Sequence, residues 1–117
     1  MGLPIIATNW SGPTEFMTEE NGYPVALDYH GGDGAGDGLV EITEGAFKGH
    51  RWAEPSVESL REAMRSVVEE REGAKRKGAA ARRTMVERFS PEKLAGTVEG
   101  HVERIAALLA ARGDREL

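Results

Sequence analysis

Residues 2–16 read Gly2-Leu3-Pro4-Ile5-Ile6-Ala7-Thr8-Asn9-Trp10-Ser11-Gly12-Pro13-Thr14-Glu15-Phe16. Leu3 to Thr8 is a short run that is apolar on both faces. Such a strand belongs inside a parallel sheet, with a neighbour on either side. It passes straight into a polar turn, Asn9 to Pro13, and Pro13 opens a short helix. The missing N–H of proline costs nothing at the first helical position, and Glu15 lies in the first turn, where an acid is favoured. Strand, Gly/Pro turn and helix in this order predict an α/β unit. The strand comes first, so the rest of its sheet is expected from a larger domain.

Working outward, Asn21-Gly22 breaks that helix, and Tyr23-Pro24-Val25-Ala26-Leu27 reads as a second short strand. Pro24 places it at an edge or at a strand start. Residues 28–55 are Gly-rich and loop-like, with Leu39-Val40-Glu41-Ile42 as their one strand candidate. A loop this long inside a domain carries function or borders a partner. The remainder is helical. Ser56 caps a helix with Val57, Leu60, Met64, Val67 and Val68 on one face, the pattern of an amphipathic helix. A second helix runs from about Ala74 to Arg88, with Gly78, Ala81, Met85 and Phe89 at spacings of three and four. Ser90-Pro91-Glu92 then stops and restarts the chain as cap, first-turn proline and first-turn acid. The last helix carries Leu94, Val98, Val102, Ile105, Leu108 and Leu109 on one stripe.

Leu, Ile, Val and Phe number 8, 4, 8 and 3 of 117 residues, just under a fifth, which is thin for an independent core. The absence of cysteine excludes a disulfide framework, a Cys-based zinc site and a thiol nucleophile, and fits a reducing, cytoplasmic setting. No run approaches the ~20 apolar residues of a transmembrane span. A net charge of −5 argues against nucleic acid as a partner. The basic residues Lys75, Arg76, Lys77, Arg82 and Arg83 have no interleaved aromatics and read as a solvated helix face.

With its actual residues, the order of elements resembles the C-terminal end of GT-B glycosyltransferases of the group 1 or family 4 type. Gly2-Leu3-Pro4-Ile5-Ile6-Ala7-Thr8 followed by Ser11-Gly12-Pro13-Thr14-Glu15-Phe16 is similar to the family's G-x-P-[VI]-[IV]-A-T…G-G-x-x-E segment. Asn21-Gly22 falls at the family's N-G turn, and Arg82-Arg83 with Arg88-Phe89-Ser90 resembles its arginine-rich helix ending in R-F-S. The likeness covers nearly the whole chain apart from Gly31–Gly38. It implies an α/β fold, the C-terminal portion of a Rossmann-like GT-B domain, with two or three short strands followed by three helices. Residues 1–112 would form a partial donor-side domain with a Gly-rich loop at 28–55, and 113–117 a tail. In the family, the G-x-P strand follows a helix bearing the second glutamate of an E-x7-E pair. Both glutamates are therefore expected upstream of Met1, together with the acceptor-binding N-terminal domain.

The resemblance implies transfer of a glycosyl unit from a nucleotide sugar, which is a substrate and not a resident cofactor. Thr8, Asn9, Ser11 and Gly12 lie beyond the carboxyl end of the first strand, where α/β sheets bind ligands, and are the expected peripheral donor-binding residues. No catalytic residue and no metal ligand is assigned. The isolated chain should be catalytically silent, because positioning an acceptor and stabilising a departing diphosphate take groups from two domains. Its partners would be the missing N-terminal domain or a full-length relative, with self-association through the last helix and the open strand edge as a further expectation. Two other readings stay open. One is a non-catalytic module docking on a full-length relative. The other is a calcium loop over Asp33–Glu44, which matches the twelve-position pattern at Asp33, Asp37, Gly38, Glu41 and Glu44 but has Ala35 where an oxygen ligand is needed. His30, His50 and His101 are too scattered for a metal site. Trp52 is read as an anchor for the long loop against the helices.

Overall fold

The computed structural model describes residues 1–29 and 36–113. It divides into two units, Met1–Arg83 and Thr84–Leu117. Among the described residues, four short strands, one 3-10 turn and three long helices make a mixed α/β chain.

In the first unit, β1 (Ile6–Thr8) and β2 (Tyr23–Val25) pair in parallel, Ile6 opposite Tyr23 and Thr8 opposite Val25. The ladder is extended at both ends: the Tyr23 N–H donates to the Ile5 carbonyl at 2.9 Å, and the Asn9 N–H to the Val25 carbonyl at 2.8 Å. Parallel strands require a crossover, and here it is short. The helix expected from Pro13 is a single 3-10 turn, Gly12–Glu15, because both the Phe16 and Met17 N–H groups fall back on the Pro13 carbonyl and close it. Asn21 then turns the chain. Its buried side chain accepts from the Thr18 N–H at 2.7 Å and donates to the Phe16 carbonyl at 2.8 Å. Gly22 follows because a Cβ there would stand 2.7 Å from Cγ of Met17.

Helix α1 (Val57–Glu69) is stitched to the residue after β2. The Ser56 side chain caps it by accepting from the Ser59 N–H, Ser59 Oγ accepts from the Ala26 N–H at 3.0 Å, and the Ser56 N–H donates to the Ala26 carbonyl at 2.8 Å. Ser59 and Ser66, at a spacing of seven, mark the half-buried side, with α1 lying against β1 and β2. The apolar stripe of the sequence is turned only partly toward the strands: Val67 is half-buried, whereas Val57, Met64 and Val68 are 67, 54 and 65 % exposed. The Ser59 hydrogen bond fixes this rotation, since an amide on Ala26 must be met at close range by a short polar side chain.

Helix α2 (Arg71–Phe89) contributes a face of small residues, with Ala74, Gly78 and Ala81 buried. At Gly78 the helix rides directly on the backbone of Gly2 and Leu3; a Cβ there would lie 2.2 Å from the Gly2 carbonyl oxygen. Lys77 departs from the solvated face expected of the basic cluster. Its Nζ donates to the carbonyls of Glu19 and Gly22 and stands 4.6 Å from the centroid of the Tyr23 ring. Lys75, Arg76, Arg82 and Arg83 are exposed, as the composition of that face implied.

The expected loop holds more structure than its glycines suggested. β3 (Leu39–Glu41) pairs antiparallel with β4 (Arg51–Ala53), Val40 opposite Trp52. Arg51-Trp52-Ala53 is too short to show an alternating pattern, so β4 could not be read from sequence. The hairpin is tied to the chain after β2. The Asp28 N–H donates to the Glu54 carbonyl, the Glu54 N–H donates to the Gly38 carbonyl, and Gly38, at φ 75°, lies where a Cβ would meet Cβ of Leu27 at 2.6 Å. The core is small: among the described residues, Met17, Val25, Leu27, Ala74 and Ala81 are its buried apolar side chains.

In the second unit, helix α3 (Pro91–Gly113) begins as its sequence dictates, with the Ser90 hydroxyl accepting from the Lys93 N–H and Glu92 in the first turn. Its apolar stripe, Leu94 to Leu109, is 50–62 % exposed. Among the described residues no helix is long and apolar enough to cross a membrane.

The contact at Gly78 generates a direct test. Gly78→Ala forces a methyl into the Gly2 backbone and should destabilise the first unit by about 2 kcal/mol or more, even though alanine is the better helix former. Urea unfolding of the two chains by circular dichroism measures it; equal midpoints would show that α2 does not rest on Gly2.

Candidate functional site

The site forms where β1 ends. Thr8 is the last strand residue, and the Trp10 N–H donates back to the Thr8 carbonyl at 2.8 Å, so the chain turns at once. Ser11 sits at φ 55° and ψ −133°, the one non-glycine residue with positive φ among those described. That pair of angles belongs to the first central position of a type II′ turn, which glycine dominates. The Ser11 carbonyl holds the conformation by accepting from both the Thr14 N–H, at 3.0 Å, and the Thr14 hydroxyl, at 2.6 Å. The Ser11 hydroxyl makes no capping bond to the 3-10 turn, so its polarity is not spent on ending that element.

This turn is one wall of a cavity of about 680 Å³. Thr8, Trp10, Ser11 and Pro13 line it from the β1 side, and Arg51 and Trp52 from the β3–β4 hairpin. Of the four residues expected from sequence, Thr8 and Ser11 reach the cavity, whereas Asn9 and Gly12 are not part of its lining. Asn9 serves the ladder through its backbone N–H.

Sequence reasoning missed the hairpin wall. Trp52 does not anchor the loop against the helices: its side chain is half exposed, and its ring neighbour is Phe47 in the same hairpin, with centroids 5.3 Å apart. The available signal was that the chain has two tryptophans, and both line this cavity.

Arg51 is locked in place by Asp37. Its Nη1 and Nη2 donate to the two carboxylate oxygens at 2.8 and 2.9 Å, and Nη2 also donates to the Leu39 carbonyl at 3.2 Å. The Arg51 hydrogen bonds, and then the Leu39 N–H, hold the Asp37 carboxyl below its ordinary value of 3.8. The same fork bears on the calcium reading. Asp33 and Ala35 lie outside the described residues, but Asp37, the fifth position of that loop, already has both oxygens engaged. No group of three His, Cys, Asp or Glu side chains positioned for a metal occurs among the described residues.

Two outcomes are expected. Ser11→Gly removes a strained conformation that costs on the order of 1–3 kcal/mol and adds back about 0.5–1 kcal/mol of glycine backbone entropy, so the variant should be more stable by about 1 kcal/mol in urea unfolding. The Asp37–Arg51 fork should make the hairpin acid-sensitive. A carboxylate with a folded-state pKa below 3.8 contributes stability that is complete above 3.8 and is lost as pH falls through the lower, folded value. The melting temperature of the unaltered chain should exceed that of Asp37→Asn at pH 6, and the gap should close on acidification into that range.

No protein-family model matches this chain, and neither a curated protein nor a solved structure matches it.

Proposed function

We propose that the chain is the donor-side wall of a GT-B type glycosyltransferase, binding a nucleotide sugar at the turn after β1 and leaving transfer to groups supplied by a second domain. The observation that carries this reading is Ser11. The G-G-x-x-E segment that the chain resembles has a glycine where Ser11 stands, and Ser11 adopts the backbone angles of a glycine at the mouth of a cavity. Strain of this sort persists where the surroundings hold it for a purpose. The position is also the expected one, since ligands of α/β sheets lie beyond the carboxyl ends of parallel strands.

In this reading the Thr8 and Ser11 side chains hydrogen-bond the donor's hydroxyl groups, and the tight turn lets the ligand approach the backbone. The acceptor and the groups that stabilise the departing diphosphate come from a partner, the N-terminal domain or a full-length relative. Surfaces are available for one. Among the described residues β1 pairs with β2 alone, and Val57, Met64 and Val68 of α1 are exposed. The exposed stripe of α3 favours a second reading, a docking module that also self-associates. Donor binding and a cytoplasmic location go together here, and both remain part of the proposal.

Calorimetric titration of the chain with uridine, guanosine and adenosine diphosphate sugars tests the first reading. One donor class should bind, Thr8→Val should weaken it about tenfold through loss of a hydrogen bond, and no sugar should be transferred by the chain alone. Absence of binding by every donor would overturn the reading. Capture of a full-length glycosyltransferase without donor affinity would select the docking module instead.

A further inference from the structure

The two indoles of the cavity ask for a ligand of their own. Trp10 is 44 % and Trp52 50 % exposed, although a tryptophan in a small domain is among its best sources of buried apolar surface. Neither is loosely attached. The Trp10 backbone is closed onto Thr8, and Trp52 is held in β4 opposite Val40 with the Phe47 ring tilted at 49° beside it. Phe47 is in turn met edge-on by His50, with centroids 6.4 Å apart. The hairpin therefore presents a fixed aromatic surface to the cavity and keeps it half wet.

The charge on that wall is cancelled. The Arg51 guanidinium is bound in a two-toothed pair by the Asp37 carboxylate and also donates to the Leu39 carbonyl, so it is not offered to a phosphate. What remains at the hairpin is a flat, neutral π-surface, while hydroxyl groups stand across the cavity at Thr8 and Ser11. A ligand that fits both walls has a planar ring at one end and a polar, hydroxyl-bearing part at the other. We infer that Trp52, on the β3–β4 hairpin, stacks the nucleobase of a nucleotide whose polar end lies at Thr8 and Ser11. This rests on the donor-binding reading of the same cavity and adds to it a base-binding element built from the β3–β4 hairpin. Stacking on an indole accepts any base, because every base has a π-face, so the hairpin supplies affinity and leaves the choice of base to other groups.

Tryptophan fluorescence of the full chain tests this, with uridine, guanosine and adenosine monophosphates as probes and methyl glucoside and methyl mannoside as sugar-only controls. The monophosphates should quench the unaltered chain and Trp10→Phe, which leaves Trp52 as the sole reporter. Trp52→Leu should weaken nucleotide binding about tenfold, and Trp52→Phe, which keeps a ring, much less. Quenching by the glycosides and not by the nucleotides would overturn the assignment in favour of a sugar face on the indole. So would diphosphate-sugar binding, seen by calorimetry, that leaves fluorescence and the Trp52→Leu affinity unchanged; in that case the donor site stands and the base element falls. If no nucleotide or diphosphate sugar binds by either method, both fall together. Should Trp52→Leu fail to fold, the titration of Trp10→Phe decides.

Discussion

Two strands of three residues each, paired in parallel, are too little structure to persist in water unaided. The pairing of β1 with β2 holds only because groups outside the ladder close it from several directions. Ser56 and Ser59 clamp the backbone of Ala26 just beyond β2, and Asn21 folds the crossover into a fixed turn. Lys77 reaches from α2 to the carbonyls of the residues before β2. Each of these is a polar side chain satisfying a main-chain group. With so few buried apolar residues, the first unit relies on backbone satisfaction where a larger domain relies on core volume. The cavity exists because this clamping fixes the carboxyl end of β1 and, through Leu27 and Gly38, the base of the hairpin.

The alternation of elements was legible from the opening residues. A run apolar on both faces followed by a Gly/Pro turn has few structural outcomes, and β1 and the turn are where that reasoning puts them. Ser56 and Ser90 were legible for the same reason, since a capping hydroxyl acts within three residues. What escaped depended on distant partners. The rotation of α1 depends on Ala26, thirty-three residues before Ser59, whereas hydropathy alone would turn Val57, Met64 and Val68 inward as well. Lys77 looks like its exposed neighbours until Glu19 and Gly22 come beneath it.

The site divides along the same line. Thr8 and Ser11 follow from the rule that ligands gather beyond the carboxyl ends of parallel strands, a rule that needs only the element order. Arg51 and Trp52 belong to the same cavity through a three-residue strand in a segment whose composition reads as loop. Their roles depend on Asp37 and Phe47, which no local pattern links to them. An arginine beside a cavity invites assignment to an anion; the fork of Arg51 with Asp37 removes it from that role.

The seating of α2 on Gly2 also orders the birth of the fold in time. The contact joins the second residue to the seventy-eighth, so nearly the whole first unit is the loop that closes when it forms. On a ribosome adding about 5–20 residues per second, roughly 4–15 s separate synthesis of β1 from synthesis of the helix that covers its leading end. Through that interval β1, β2 and α1 are made while the Gly2 and Leu3 backbone still lacks the helix that rests on it.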